Sequence, residues 1–369
     1  MKRNIYHYVL VLLMLSSAIL GSTIFDTFQI AIELILFLML FYGIITIKLQ
    51  IIDIVLLGIF LFVFLISFSI NEFLKIALNF KIYGLCILTF IYFRKVHFNP
   101  KKLIKLVHAI NIFLIVHQFV TGQFIVPSAW FFGQYQEYAN SRPVGIFLTP
   151  HASSFFIAVS TLYIVIQGKR YFKGWFFFSI NLMTGSFTGL IAFLAQLMQQ
   201  LFNYFSKKIP LLKFKFGWST KILVIGFPLL LLAVYKEQFI ELLKVNPYSR
   251  YNSVEIILNQ LFDSRFFSDI FKVYPRDYQT YTIGQELMFA DFANEIGFVK
   301  VFVEAGFVLG MFLLITLIGN LRYYGIFILV SLLHYSFAFN MPFMLFLMIQ
   351  YDYEMTQRNQ MDSISVIES

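Results

Sequence analysis

Apolar residues in this chain form long unbroken runs. They show neither the single stripe of a surface helix nor the alternation of a half-buried strand. FQIAIELILFLMLFYGIITI at 28–47 and IIDIVLLGIFLFVFLISFSI at 51–70 set the pattern. Each is close to the length of about 20 residues that carries a helix across a bilayer. Comparable runs recur, predicting spans near 6–23, 28–47, 51–70, 73–93, 103–121, 152–167, 175–184, 186–205, 218–235, 296–317, 323–339 and 341–352. A transmembrane β-barrel would instead show short alternating strands. The expected fold is all-α: a single polytopic membrane domain over 1–369 with about 12 transmembrane helices.

Basic residues give the spans a direction. With the N-terminus inside, the cytoplasmic connections carry Lys2/Arg3, Lys48, Arg94/Lys95/Lys101/Lys102/Lys105, Lys169/Arg170/Lys173, Lys207/Lys208/Lys213/Lys215 and Arg322. Every strong cluster then falls on one side, as the positive-inside rule requires. The C-terminus also ends in the cytoplasm. Reading 175–205 as one helix would put Lys207 and Lys208 outside, so a break is expected at Thr184-Gly185-Ser186. Such breaks are tolerated at membrane depth where the freed backbone is buried or faces a wet cavity. The first span follows MKRN with no clear small-residue cleavage site, so it reads as a retained helix. Two external loops remain, at 122–150 and at 236–292, the larger one preceding the last three spans. A loop that long among short connections is usually functional. It holds a short amphipathic helix at 251–262, with Val254, Ile257, Leu258 and Leu261 on one face.

Composition agrees. Of 369 residues 59% are hydrophobic and only 13% charged, too little polar surface for a soluble domain. The net charge of +9 is accounted for by the cytoplasmic clusters and does not indicate nucleic acid. The single cysteine, Cys86, excludes an internal disulfide and a Cys-based metal site. No metal-ligand spacing, nucleophile elbow or phosphate-cradling glycine loop is present, so no metal or cofactor is expected.

The unexplained polar residues gather at the outer face. Arg142 precedes Pro143-Val144-Gly145, and Pro150 opens span six with His151 on its first turn. Free N–H groups there and a nearby arginine suit an anion such as phosphate. The plainer readings are an arginine at the headgroup level and an interfacial histidine. Arg250 opens the amphipathic helix of the large loop, followed by Arg265 and Arg276. An arginine presents a planar donor fork to phosphate oxygens, but Arg276 fits an ordinary polar turn and Arg265 fits either reading. Asn294 and Glu295 begin span ten, either as a cap with a first-turn acid or with Glu295 as a general base. Glu304 lies deeper, where an ionisable group is a functional hypothesis by default, with a pair to Lys300 as the alternative. In span four Lys75 can snorkel, while Lys81 needs a buried acid or a ligand phosphate. His334 reads as a hydrogen-bonded core residue.

Three blocks in this order resemble the bacterial O-antigen polymerase and O-antigen ligase superfamily of membrane glycosyltransferases. RPVGIFLTPHASSFFIAV is similar to that family's arginine, glycine and apolar-helix block. LMTGSFTGLIAFL is similar to its L-T-x-S-R-x-G-x-L block, and NEIGFVKVFVEAGFVLGMFLL to the glycine-bearing block after its large external loop. The likeness covers roughly residues 130–320; the N-terminal third matches only in hydropathy. Phe187 stands where the family often has an arginine. Glu295 stands, relative to Gly306, where the ligase branch typically has a histidine, which favours the polymerase branch.

The resemblance implies a GT-C-like, metal-independent glycosyltransferase in the bacterial cytoplasmic (inner) membrane. It would join undecaprenyl-diphosphate-linked oligosaccharide repeat units on the outer face. Arg142 and Arg250 would clamp the diphosphate, with Arg265 and Lys81 as further contacts, Glu295 or His151 as base, and Asn294 and Glu304 nearby. Implied membrane partners are a chain-length regulator and a flippase. The alternatives are a ligase transferring polymer to lipid A-core and, in another class, a polysaccharide flippase or transporter. A transporter expects charges along a central pathway, whereas spans 1–70 carry few.

Overall fold

A computed structural model describes residues 2–20, 26–70, 73–96, 98, 101–125, 142–148, 150–168, 171–186, 194, 273, 301–302 and 304–320. Within them the chain is all-helical. The helices are α1 Lys2–Leu20, α2 Asp26–Ile45, α3 Ile51–Ile70, α4 Phe73–Lys95, α5 Lys101–Thr121, α6 Pro150–Gly168, α7 Tyr171–Met183 and α8 Phe307–Asn320. Four stretches are long and apolar enough to cross a membrane: Thr27–Ile45, Ile51–Phe68, Ile76–Lys95 and Lys102–Thr121. Ile5–Leu20 and Phe307–Thr316 are shorter apolar helices. The spans expected at 218–235, 323–339 and 341–352, and nearly all of the 186–205 span and the 236–292 loop, lie outside the described residues.

Side-chain contacts fix how the first four helices run. Near the start of α1, His7 Nε2 shares a 2.9 Å hydrogen bond with Tyr92 Oη near the end of α4. Tyr6 Oη donates to the Met39 carbonyl on α2. At the start of α3, Asp53 pairs with Arg94 and, at 3.5 Å, with Lys95. Asp53 Oδ2 also accepts from the Gln50 N–H at 2.8 Å, closing the first turn of α3. The beginnings of α1 and α3 therefore meet the end of α4, and the four helices alternate in direction.

Towards the other end, Ser17 donates to Glu33 at 2.8 Å, Gln29 donates to it at 2.9 Å, and Lys81 forms an ion pair with it. The sequence left Lys81 with a buried acid or a ligand phosphate; the structure supplies the acid. Lys81 thus ties α4 to α2 and, through Glu33, to α1. In lipid, water-driven burial does little to hold helices together, so packing and such polar ties carry more of the association.

The core runs between these helices and α6, with Phe64, Tyr83, Phe90, Phe155 and Phe156 almost wholly buried. Val273, from the sequence-predicted large loop, is buried in it as well. Broad apolar faces of α2 and α3 are exposed, Leu38, Phe41, Phe62 and Leu65 among them. That is the surface expected to face lipid chains.

Within the span expected at 296–317 the helix is interrupted: Gly306 has φ +76° and separates the helical residues 301–302 and 304–305 from α8. Glycine adopts this left-handed backbone without a Cβ clash. Beside the break the Glu304 carbonyl accepts from Asn79 Nδ2 at 3.1 Å, so a side chain of α4 satisfies a group that lipid could not.

Candidate functional site

The chain from Arg142 to His151 is seated on two carboxamides of α5. The Gln118 side chain spans Pro143: its Nε2 donates to the Arg142 carbonyl at 3.0 Å, and its Oε1 accepts from the Val144 N–H at 2.9 Å. Two turns earlier, Asn111 Oδ1 accepts from the Ile146 N–H at 2.9 Å and from Ser153 Oγ at 3.2 Å. Ser153 Oγ also lies 2.5 Å from the Val144 carbonyl. The Gln118, Asn111 and Ser153 side chains are buried, where a polar group needs such partners.

The turn itself needs its glycine. Gly145 has φ +61°, and a Cβ there would lie 2.2 Å from Asn111 Oδ1 and 2.7 Å from Ser153 Oγ. Leu148 is held left-handed at φ 59° with its side chain buried. In a non-glycine residue that conformation costs about 1–2 kcal/mol, so the packing around it is what keeps it there. Pro150 then opens α6, and His151 falls on its first turn.

A third segment meets this loop. α7 ends at Met183 and turns through Thr184-Gly185-Ser186, with Gly185 at φ +62°, where the sequence expected a break. His151 Nδ1 and Ser186 Oγ share a hydrogen bond at 2.9 Å, and Ser154 Oγ donates to the Ser186 carbonyl at 3.3 Å. The Arg142 side chain lies over Gly185: a Cβ on that glycine would sit 3.7 Å from Arg142 Cδ and 4.0 Å from its Nε. Two of the blocks quoted above, widely separated in sequence, are thereby brought to one place.

Arg142 is exposed. No carboxylate among the described residues forms an ion pair with it, in contrast to Lys81, Arg94 and Lys95. The arrangement therefore presents an exposed guanidinium with no acid partner among the described residues, a partly buried imidazole and a hydroxyl-bearing turn at the mouth of an apolar helix. Chemically it is fit to receive an anion.

Glu304 is placed elsewhere. It is 2% exposed, and its Oε2 accepts from Tyr83 Oη at 3.1 Å. Tyr83 and Asn79 are four residues apart on α4 and share a face, whereas Lys81 between them points to Glu33. Glu304 and the Lys81–Glu33 pair thus lie on different sides of α4. Arg250, Arg265, Asn294 and Glu295 lie outside the described residues, as does Lys300.

Gln118, Asn111, Ser153 and Ser186 were not singled out by sequence reasoning. The available signal was a carboxamide pair seven residues apart in an apolar helix, which puts both on one face. Compared with family models, with curated proteins and with solved structures, the chain matches none.

Proposed function

We propose that this protein is a polytopic membrane glycosyltransferase that polymerises a surface polysaccharide such as O-antigen from undecaprenyl-diphosphate-linked repeat units. The site works at the outer face of the cytoplasmic membrane, with both termini cytoplasmic. The observation that carries the reading is Arg142: an exposed guanidinium without an acid partner among the described residues, on a braced loop beside His151 and the Gly185-Ser186 turn. The ordered sequence blocks that resemble the O-antigen polymerases support it, because two of them converge there.

In this scheme the terminal sugar hydroxyl of one lipid-linked unit attacks the anomeric carbon of the growing chain. The bond from that carbon to the diphosphate oxygen breaks, and the lipid diphosphate leaves with the electron pair. The hydroxyl proton passes to a base, His151 or Glu295. Negative charge grows on the leaving group as the bond breaks, so a fixed cation stabilises the transition state more than the ground state. Arg142 and Arg250 supply that charge. Lys81 is left out of the clamp because Glu33 already takes up its charge. The lipid tail occupies an apolar groove between helices.

The test uses purified full-length protein in detergent with a lipid-linked repeat unit and no nucleotide. A ladder of lengthened lipid-linked chains is expected. Transfer only after lipid A-core is added would make the protein a ligase, and neither product from a folded protein would favour a transporter.

A further inference from the structure

We propose that Gln118 is a positioning residue that aims the Arg142 guanidinium at its anionic ligand, an inference that rests on reading Arg142 as a diphosphate ligand. Proline cannot brace this stretch itself, since Pro143 has no N–H to donate. Gln118 does so from outside, holding the carbonyl before Pro143 at 3.0 Å and the N–H after it at 2.9 Å. Both peptide units that bracket Pro143 are then tied to α5. The residue before a proline is already restricted to extended backbone, so little rotation is left to the Arg142 backbone from which its side chain projects.

Gln118 is 5% exposed, with its carboxamide engaged by the 142–144 backbone, and it is therefore not a ligand itself. Its neutrality matters. An acid in the same place could brace the Val144 N–H equally well, but it would offer Arg142 a carboxylate and weaken its pull on an anion. A carboxamide gives one donor and one acceptor with no net charge. The loop is fixed while the guanidinium keeps its full charge for a ligand. Asn111 completes the seat at the far side of Gly145.

The experiment is inorganic pyrophosphate binding to full-length protein in detergent, by calorimetry, with thermal unfolding alongside. Gln118→Met keeps the side-chain length and removes both hydrogen bonds. If it does not fold, Gln118→Asn, one methylene too short to bridge Pro143, takes its place. Arg142→Ala is expected to weaken pyrophosphate about 10-fold or more, and the Gln118 variant about 5-fold. In the Arg142→Ala background the Gln118 change should add less than about 2-fold, because a residue acting through Arg142 has nothing left to aim. A general structural role would keep its full effect there, and that result overturns the proposal. So does wild-type affinity in the Gln118 variant while Arg142→Ala is weak, which leaves the clamp intact. If wild type does not bind, or Arg142→Ala binds as well as wild type, the anion reading of Arg142 falls and this inference with it.

Discussion

Two regions of this molecule treat their cations in opposite ways. In the α1–α4 bundle three cations among the described residues have an acid: Lys81 meets Glu33, while Arg94 and Lys95 share Asp53. At the mouth of α6 the exposed Arg142 is steadied through its backbone by a neutral carboxamide and rests over a glycine. A charge compensated within the fold is a tie between helices. A charge braced by neutral groups remains available to something outside the fold. The difference separates cations tied within the fold from the candidate for ligand binding, which hydropathy alone does not do.

The sharpest way to break that contrast is to remove one member of the Lys81–Glu33 pair. Lys81→Met leaves a nearly buried carboxylate without its cation and should destabilise the protein by about 3 kcal/mol. The double variant Lys81→Met with Glu33→Leu should recover most of that loss, since an apolar pair substitutes well for a buried ion pair. Denaturant unfolding in detergent reads both. Persistence of the full loss in the double variant would show that the pair is not a closed unit.

A smaller effect is expected at the seat of the Arg142 loop. Gly145→Ala forces a Cβ against Asn111 Oδ1 and into left-handed backbone, a cost of about 2 kcal/mol in stability. Chain extension should fall as well, because the Arg142 turn is displaced; wild-type extension by a folded Gly145→Ala protein would detach the turn from the activity. The smallest effect belongs to Asn79. Asn79→Ala removes a donor from the Glu304 carbonyl and should cost about 1 kcal/mol, visible as a lowered unfolding midpoint with extension unchanged.

Much of the fold is written in local pattern. The apolar runs at 51–70 and 73–93 became α3 and α4 within a few residues, because a continuous run of that length has few other ways to satisfy its backbone in lipid. Pro150 as a helix start and the break at 184–186 were equally legible, since proline and glycine act on the backbone of their own residues. The Gly306 interruption was not. A glycine within an apolar run is compatible with a straight helix, and the group that meets the carbonyl beside the break, Asn79, is distant in sequence.

The site divides in the same way. Arg142 and His151 stood out as polar residues at a helix mouth. Gln118 and Asn111 did not, for a carboxamide inside a span can face another helix, a loop or a ligand. Only the return of residues 142–148 onto α5 decides among these. The acids Glu33 and Asp53 were passed over for the same reason, their partners lying on a helix far along the chain.

The measurement that bears most directly on the account is chain extension by Arg142→Ala beside the Lys81→Met, Glu33→Leu double variant, each purified and matched in unfolding midpoint to wild type within the error. Arg142→Ala should lose about 100-fold in extension rate, the usual scale for removing one donor from a charge-stabilising site, while the double variant keeps most of its activity. Polymer made at the wild-type rate by Arg142→Ala would contradict the account, whatever the double variant does.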